Sequence, residues 1–330
     1  MTGPVRFGTL ADGRAVQALR LAWPGGIEAQ ILDYGAVVRS LRFGGIETVL
    51  GFETVEAYVA DRAYQGCVVG RFANRIDRGR FEVDGRAFQV EANEGPNTLH
   101  GGPVGFGRRL WALERWDDRS ATLSYRSPEG EEGFPGTVDA RIKFRLAGAT
   151  ALEITWLAQA SALTPVNLTH HLYFNLSGDP STSVLDHELQ IAADAITPVR
   201  PDLIPTGDLM AVEGTPFDLR RAAPIGEAVA QTHPQLAIAG GLDHNWVLNG
   251  PARLACPRTG LAMTLTTDQP GLQVYSGQGL TAPFAAHGGI ALEPQGFPDA
   301  VNQPSFPDVL LRPGQTYRRH AVYRFAGGAV

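Results

Sequence analysis

The sequence predicts an all-β protein: a large antiparallel β-sandwich with few short helices. Three observations carry this. Period-two alternation of apolar and polar residues recurs from end to end of the 330-residue chain. Helical periodicity is confined to two short stretches, 53–64 and 224–236. Glycine (39) and proline (23) make up about 19% of the chain, above the usual share of about 12% and below the level of disordered segments. That excess suits many turns between short strands.

Each element has its own justification. "ALRLAW" (18–23) and "EAQILDY" (28–34) alternate as strands, and "ETVEAYVADRAY" (53–64) is the first helical stretch. "RFEVDGRAFQV" (80–90) reads as a hairpin, with Phe81 and Val83 before, and Phe88 and Val90 after, an Asp84-Gly85 turn. Asp-Gly suits a two-residue turn whose centres both need positive φ. "TLSYRS" (122–127) is a further strand, and "ARIKFRLAGATALEITWLAQ" (140–159) a second hairpin, each arm with one wet face. "TPVNLTHHLYFNLSG" (164–178) reads as extended chain, "PIGEAVAQTHPQL" (224–236) as the second helix, and "TYRRHAVYRFA" (316–326) as a closing strand. No repeat, low-complexity tract or charged linker divides the chain, so residues 1–330 are expected to form a single domain. A chain of this length can bury roughly 75% of its unfolded surface.

Composition narrows the function. Lys plus Arg (28) against Asp plus Glu (34) leaves a net charge of -6, with no basic footprint for nucleic acid. The densest basic run, "RFANRIDRGR" (71–80), reads as solvated surface from which one or two arginines enter a pocket. Cys67 and Cys256 lack metal or redox spacing and are expected to be inert buried thiols. The N-terminal residues lack a signal-peptide pattern, and no apolar run approaches the 18 or so residues of a membrane span, so a cytoplasmic protein without membrane contact is expected. The acidic balance carries no information on oligomeric state.

The paired histidines of 164–178 raise the first chemical question. Neighbouring side chains of an extended chain point to opposite faces. Asn167, Thr169, His171, Tyr173 and Asn175 share one polar face, while Leu168, His170, Leu172, Phe174 and Leu176 share a mostly apolar one. His171 is therefore the candidate for chemistry and His170 for a tucked, hydrogen-bonded role. His100 in "NTLHGG" and Asp243 in "GGLDHNWVL" sit among glycines and, taken alone, read first as turn residues. Glu293 in "ALEPQGFP" precedes Pro294, which should end its strand and leave the carboxylate at the mouth of a sheet. Gln273 and Tyr275 share one strand face, opposite Leu272 and Val274. The loop-rich stretches 93–109, 240–250 and 282–308 hold most of these residues. No H-E-x-x-H, paired-Cys, G-x-S-x-G or P-loop motif occurs, which argues against a zinc site, a serine nucleophile or a phosphate loop.

"GRFANRI", "NTLHGG", "TPVNLTHHLYFNL", "GLDHNWVL" and "LEPQGFPDAVNQPSFP" follow one another in this order across roughly residues 66–308. Together they resemble the aldose 1-epimerases, or galactose mutarotases. The resemblance implies a β-sandwich of the galactose-mutarotase type that interconverts the α and β anomers of a free monosaccharide without metal or cofactor. It implies His171 as general acid and Glu293 as general base, with Asn74, Arg75, His100, Tyr173, Asp243 and Gln273 around the sugar. The chain departs from the family pattern at His170, usually Asn, at Pro294 and Gly296, commonly Thr and Asn, and at Asn245-Trp246. None of these removes a catalytic group.

Opening a cyclic hemiacetal takes a proton from the anomeric hydroxyl and delivers one to the ring oxygen. The expected arrangement is an ionised Glu293 and a protonated His171 on opposite sides of the C1–O5 unit, the carboxylate raising the imidazole pKa. Phe72, Tyr173, Trp246 and Phe297 are candidate apolar platforms. Three rivals stand beside this reading: a glycoside hydrolase using Asp243 and Glu293, a non-catalytic sugar-binding protein, and a sugar-phosphate epimerase.

Overall fold

In the computed structural model, which describes residues 3–328, two large antiparallel sheets supply most of the ordered backbone. The first is a five-stranded meander: Val5–Thr9, Ala15–Ala22, Glu28–Leu32, Val38–Phe43 and Ile46–Glu47, in chain order. The second has 13 strands. It runs from Ala112–Trp116 through Ser120–Ser127, Val138–Leu146 and Ala151–Ala160. There the chain's last strand, Tyr317–Gly327, takes the next place. Leu261–Thr267, Asp243–Cys256, Gly271–Tyr275, Ile290–Gln295 and Tyr173–Phe174 follow, and Glu188–Thr197 pairs beside Asp243–Cys256. Inserting the C-terminal strand between earlier hairpins ties both ends of the sheet into one hydrogen-bonded surface.

The alternation explains the core. Along Val138–Leu146 the residues Ala140, Ile142, Phe144 and Leu146 are buried, while Arg141, Lys143 and Arg145 are exposed. Leu152, Ile154, Trp156 and Ala158 of the paired strand face the same way. These residues join Leu21, Ile31, Leu172, Phe174 and Trp246 in the main core cluster. Each Leu, Ile or Phe among them, taken fully out of water, contributes roughly 1.5–3 kcal/mol. The hairpin at 80–90 forms as expected, with Arg80–Val83 paired to Arg86–Gln89 and both Asp84 (φ 51°) and Gly85 (φ 71°) left-handed at the turn. Cys67 and Cys256 are free and buried.

Three expectations are corrected. The stretch 224–236 is two helices, Ile225–Val229 and Pro234–Ala239. Pro234 cannot donate within a continuing helix, so the chain restarts there, with His233 extended as the new N-cap. The stretch 164–178 is not one strand: Thr169–His170 pairs with Val68–Val69, and Tyr173–Phe174 pairs with Ile290 and Ala291. Pro294 does not end its strand, which continues to Gln295. Beyond Ala291 that strand has Gly271–Tyr275 as its named partner on one side, an edge-like place where proline is tolerated.

Candidate active site

The segments carrying the candidate residues converge on a cleft of about 510 Å³. Glu293 stands in the middle of Ile290–Gln295, and Asp243 opens the strand Asp243–Cys256 rather than lying in a loop. Gly271–Tyr275 runs between them and brings Gln273 opposite both Glu293 and Asn245. His171 comes from the broken segment 169–174. Its N–H donates to the Cys67 carbonyl (3.0 Å), and its carbonyl accepts from Gly66 N–H (2.9 Å).

The parity argument holds for the two histidines. His170 points into the core, where the Trp156 indole donates to Nδ1 (2.9 Å) and Nε2 meets the Ala36 carbonyl (3.1 Å). Trp156 can only donate, so the proton of the neutral ring sits on Nε2. His171 points into the cleft, its Nε2 3.5 Å from Glu293 Oε1. Tyr173 follows on the same wall, its ring 4.8 Å from that of His171. The rest of the polar face does not join them. Asn167 binds the Ala73 and Gly296 backbone, and Asn175 binds the Thr182 and Gly288 carbonyls.

Around this pair the cleft is charged. Arg75 Nε and Nη2 donate to the two oxygens of Glu94 (2.6 and 2.9 Å), and Nη2 lies 3.7 Å from Asp243 Oδ2. Asp243 Oδ1 accepts from Gln273 Nε2 (2.6 Å). Asn74 is left-handed (φ 64°), its side-chain oxygen accepting from Arg75 N–H (2.9 Å) and its own N–H donating to His100 Nδ1 (3.1 Å). Asn74, Arg75, His100, Tyr173 and Asp243 all line the cleft.

Gln273 is buried beside them, its Nε2 held by Asp243 and its Oε1 unpartnered on the strand next to Glu293. Three of the four apolar platforms are also core residues. Phe72 packs with Ile76 and Phe81, Trp246 donates to the Phe217 carbonyl, and Phe297 packs on Phe306. The aromatic wall is instead Tyr173 with Phe52, Tyr64, Tyr275 and Phe284.

Electrostatics correct the expected resting state. Burial takes the His171 pKa down to about 4, and burial followed by the Asp243 charge pushes Glu293 well above the carboxylate range. Desolvation thus outweighs mutual attraction and favours a neutral pair holding one proton. The two groups are also neighbours rather than opposed. At 3.5 Å no sugar fits between them, but two oxygens bonded to one carbon can meet both from the open side.

His100, His171 and Glu293 bring potential metal-ligand atoms within 4.8 Å of one another, a cluster that sequence spacing does not show. The tautomer of His100 argues against a metal there. Its Nδ1 accepts from Asn74 N–H, so the neutral ring carries its proton on Nε2 and offers the cleft a donor. Burial holds the His100 pKa well below the ordinary value, which preserves that form.

The geometry is that of an acid–base enzyme for a small polar molecule: a buried imidazole–carboxylate pair, flanked by Arg75, Asp243 and the neutral His100, in an antiparallel sandwich. Comparison with known proteins narrows the class. The family model of aldose 1-epimerase matches residues 17–324. Galactose mutarotase of Bos taurus is 40% identical over 319 residues, 91% of each chain. Aldose 1-epimerase of Escherichia coli (strain K12) is 35% identical over 335 residues, 95% of this chain and 96% of that one. Among solved structures, galactose 1-epimerase of Lactobacillus acidophilus superposes with a TM-score of 0.90 at 26% identity, covering 99% of each chain. An aldose epimerase homologue of C. elegans gives 0.89 at 30%, covering 96% of this chain and all of that one. The chain belongs to the aldose 1-epimerase family.

Proposed function

We propose that the protein interconverts the α and β anomers of a free aldose such as galactose or glucose, with His171 and Glu293 as the proton-transfer pair. One observation carries this reading: the two side chains meet at 3.5 Å in a single cleft lined by Arg75, Asp243 and His100. The pair holds one proton between them. Arg75 favours the Glu293 carboxylate, and moving that proton to His171 Nε2 prepares a base and an acid side by side. Glu293 then takes the proton of the anomeric hydroxyl as His171 gives its proton to the ring oxygen. The C1–O5 bond breaks and an aldehyde forms. Rotation about C1–C2 presents the other carbonyl face. Closure reverses both transfers, so the pair returns to its starting state without covalent attachment. Arg75, Asp243, Asn74 and the His100 Nε2–H would hold the remaining hydroxyls, with Tyr173 against one face of the sugar.

Glu293 has an imidazole as its nearest titratable partner, with Asp243 turned to Gln273 and Arg75, which supports acid–base anomer exchange over a two-carboxylate glycoside hydrolase. The cleft draws residues from 52 to 293, which supports the proposal that the chain works as one unit. Among the described residues no helix is long and apolar enough to cross a membrane. A cytoplasmic setting, part of the same proposal, is supported by two free buried thiols. Polarimetry on freshly dissolved α-D-galactose, α-D-glucose or an α-pentose tests the activity. Wild-type protein accelerates the approach to equilibrium, and Glu293→Gln and His171→Asn largely abolish the effect. Unchanged rates with folded wild-type protein on all three sugars would overturn the reading.

A further inference from the structure

The sequence pattern puts Tyr64 at the end of a helical stretch, 53–64, but the helix is Val55–Ala60 and Tyr64 lies beyond it with φ at 57°. A bulky aromatic residue in the left-handed region is strained, at a cost of order 1–3 kcal/mol, and persists only where its surroundings impose it. Here they do. The Asp61 carboxylate accepts the N–H groups on both sides of Tyr64, from Ala63 (2.9 Å) and Gln65 (2.7 Å). Two residues further on, Gly66 and Cys67 are bonded to the backbone of His171.

The forced conformation delivers the Tyr64 ring to the cleft wall, against two imidazoles that themselves meet edge to face at 5.3 Å. Its centroid is 4.5 Å from that of His100, edge to face, and 6.0 Å from that of His171, stacked. Its hydroxyl accepts from Asn93 Nδ2 (3.2 Å). Asn93 in turn donates to the carbonyls of Leu99 and Gly102 and accepts from Leu99 N–H, which pins the turn carrying His100. Asp61, Tyr64 and Asn93 therefore form a brace from the helix end to both imidazoles.

We infer that Tyr64 is a positioning residue for anomer exchange, held in a strained backbone conformation so that its ring fixes the orientations of His100 and His171. The inference rests on His171 and Glu293 being the proton-transfer pair. A reacting group misplaced by about 1 Å can cost about 100-fold in rate, so the ring should show in kcat more than in KM. It also keeps water from the imidazoles, and burial is the cause of the depressed His171 pKa.

Three substitutions separate ring from backbone. Tyr64→Phe keeps the ring and should retain kcat within about threefold. Tyr64→Ala removes the ring and should lower kcat roughly 10- to 100-fold. Tyr64→Gly removes the ring and also relieves the strain. It should melt above Tyr64→Ala yet be as slow, with the acid limb of its kcat–pH profile moved upward as His171 meets water. Glu293→Gln, measured alongside, reports on the underlying reading: if it stays active, the pair is misassigned. If Glu293→Gln is inactive but Tyr64→Ala and Tyr64→Gly keep wild-type kcat and pH profile, the positioning role falls. It falls equally if kcat merely tracks melting temperature across the three variants.

Discussion

His170 and His171 are neighbours in the chain, both are at most 5% exposed, and burial lowers both pKa values. They differ in what surrounds them. His170 has a donor on one ring nitrogen and an acceptor on the other. His171 has an unpartnered Nδ1 and a carboxylate beyond hydrogen-bond distance. Arg71 and Arg75 repeat the contrast. Arg71 is 1% exposed, and its two terminal amino groups donate to the carbonyls of Pro128, Pro135 and Gly136 and to the Ser127 hydroxyl, leaving only Nε without a partner. Arg75 faces two carboxylates on the cleft wall. Burial alone does not distinguish the core-facing layer from the cleft-facing one; what each side chain is turned toward does. Buried polar groups are nearly always satisfied, so on the cleft wall the unpartnered His171 Nδ1 and Glu293 Oε2 mark where a substrate has work to do.

The contrast predicts that cleft-side substitutions take activity and core-side substitutions take stability. The largest effect is expected at Glu293 and His171. A general acid or base contributes about 10²–10⁴-fold, so Glu293→Gln or His171→Asn should lower kcat by that much in polarimetric assays. Melting temperature should hold or rise, because each variant removes a buried titratable group. Proton count sets the pH profile. A second proton on the pair removes the base, and the buried His171 takes one only near pH 4. The kcat/KM plateau should therefore extend below the ordinary imidazole range before falling with falling pH. An acid limb at 6–7 would mean that His171 is solvated in the working enzyme.

Arg71 gives the core-side counterpart. Arg71→Met leaves several buried carbonyls without a donor, at about 1–3 kcal/mol for each group left unsatisfied. A urea titration should show a loss of at least about 3 kcal/mol, with kcat per folded molecule near wild type. A selective loss of kcat would move Arg71 into the functional layer.

How far the sequence reveals this division depends on what sets each position. Alternation in the long hairpins is local, and it places Ile142, Phe144, Ile154 and Trp156 inside without any tertiary knowledge. Parity separates His170 from His171 although the segment is only briefly a strand, because it stays extended through that pair. Motif resemblance carries the distant partners Arg75, His100, Asp243 and Glu293, which no local pattern brings together. Tyr64 and Glu94 escape both. The left-handed turn at Tyr64 is imposed by Asp61; a carboxylate just before Tyr-Gln-Gly was the available signal, read instead as helix end. Glu94 lines the cleft and pairs with Arg75, 19 residues away, a contact no local pattern shows. The depressed His171 pKa was out of reach because it depends on how deeply the site is buried.

His170 tests the satisfied layer through pH. Its folded-state pKa is down near 3 against 6.5 unfolded, so between those values the unfolded chain binds the extra proton. Its contribution is complete above pH 6.5 and shrinks as pH falls. At pH 5 the difference is about 2 kcal/mol. Wild-type protein should thus lose about 2 kcal/mol more than His170→Gln between pH 7 and pH 5 in chemical denaturation. Equal losses would show that His170 already titrates in the folded state.

The smallest effect is expected where the layers meet. Gln273 is buried beside Asp243, with Nε2 bound to that carboxylate and Oε1 unpartnered. Its Nε2 reaches the site through Asp243. Replacing it by Leu removes one hydrogen bond to a carboxylate that Arg75 still holds. A typical net hydrogen bond is worth about 0.5–1.5 kcal/mol, or roughly 2- to 10-fold in an equilibrium constant. Gln273→Leu should raise KM by a factor in that range and leave kcat nearly unchanged, since neither Glu293 nor His171 bonds to the amide. A drop in kcat as large as that of Glu293→Gln would place the amide in the proton-transfer machinery, and the boundary between the two layers would shift one row deeper into the sheet.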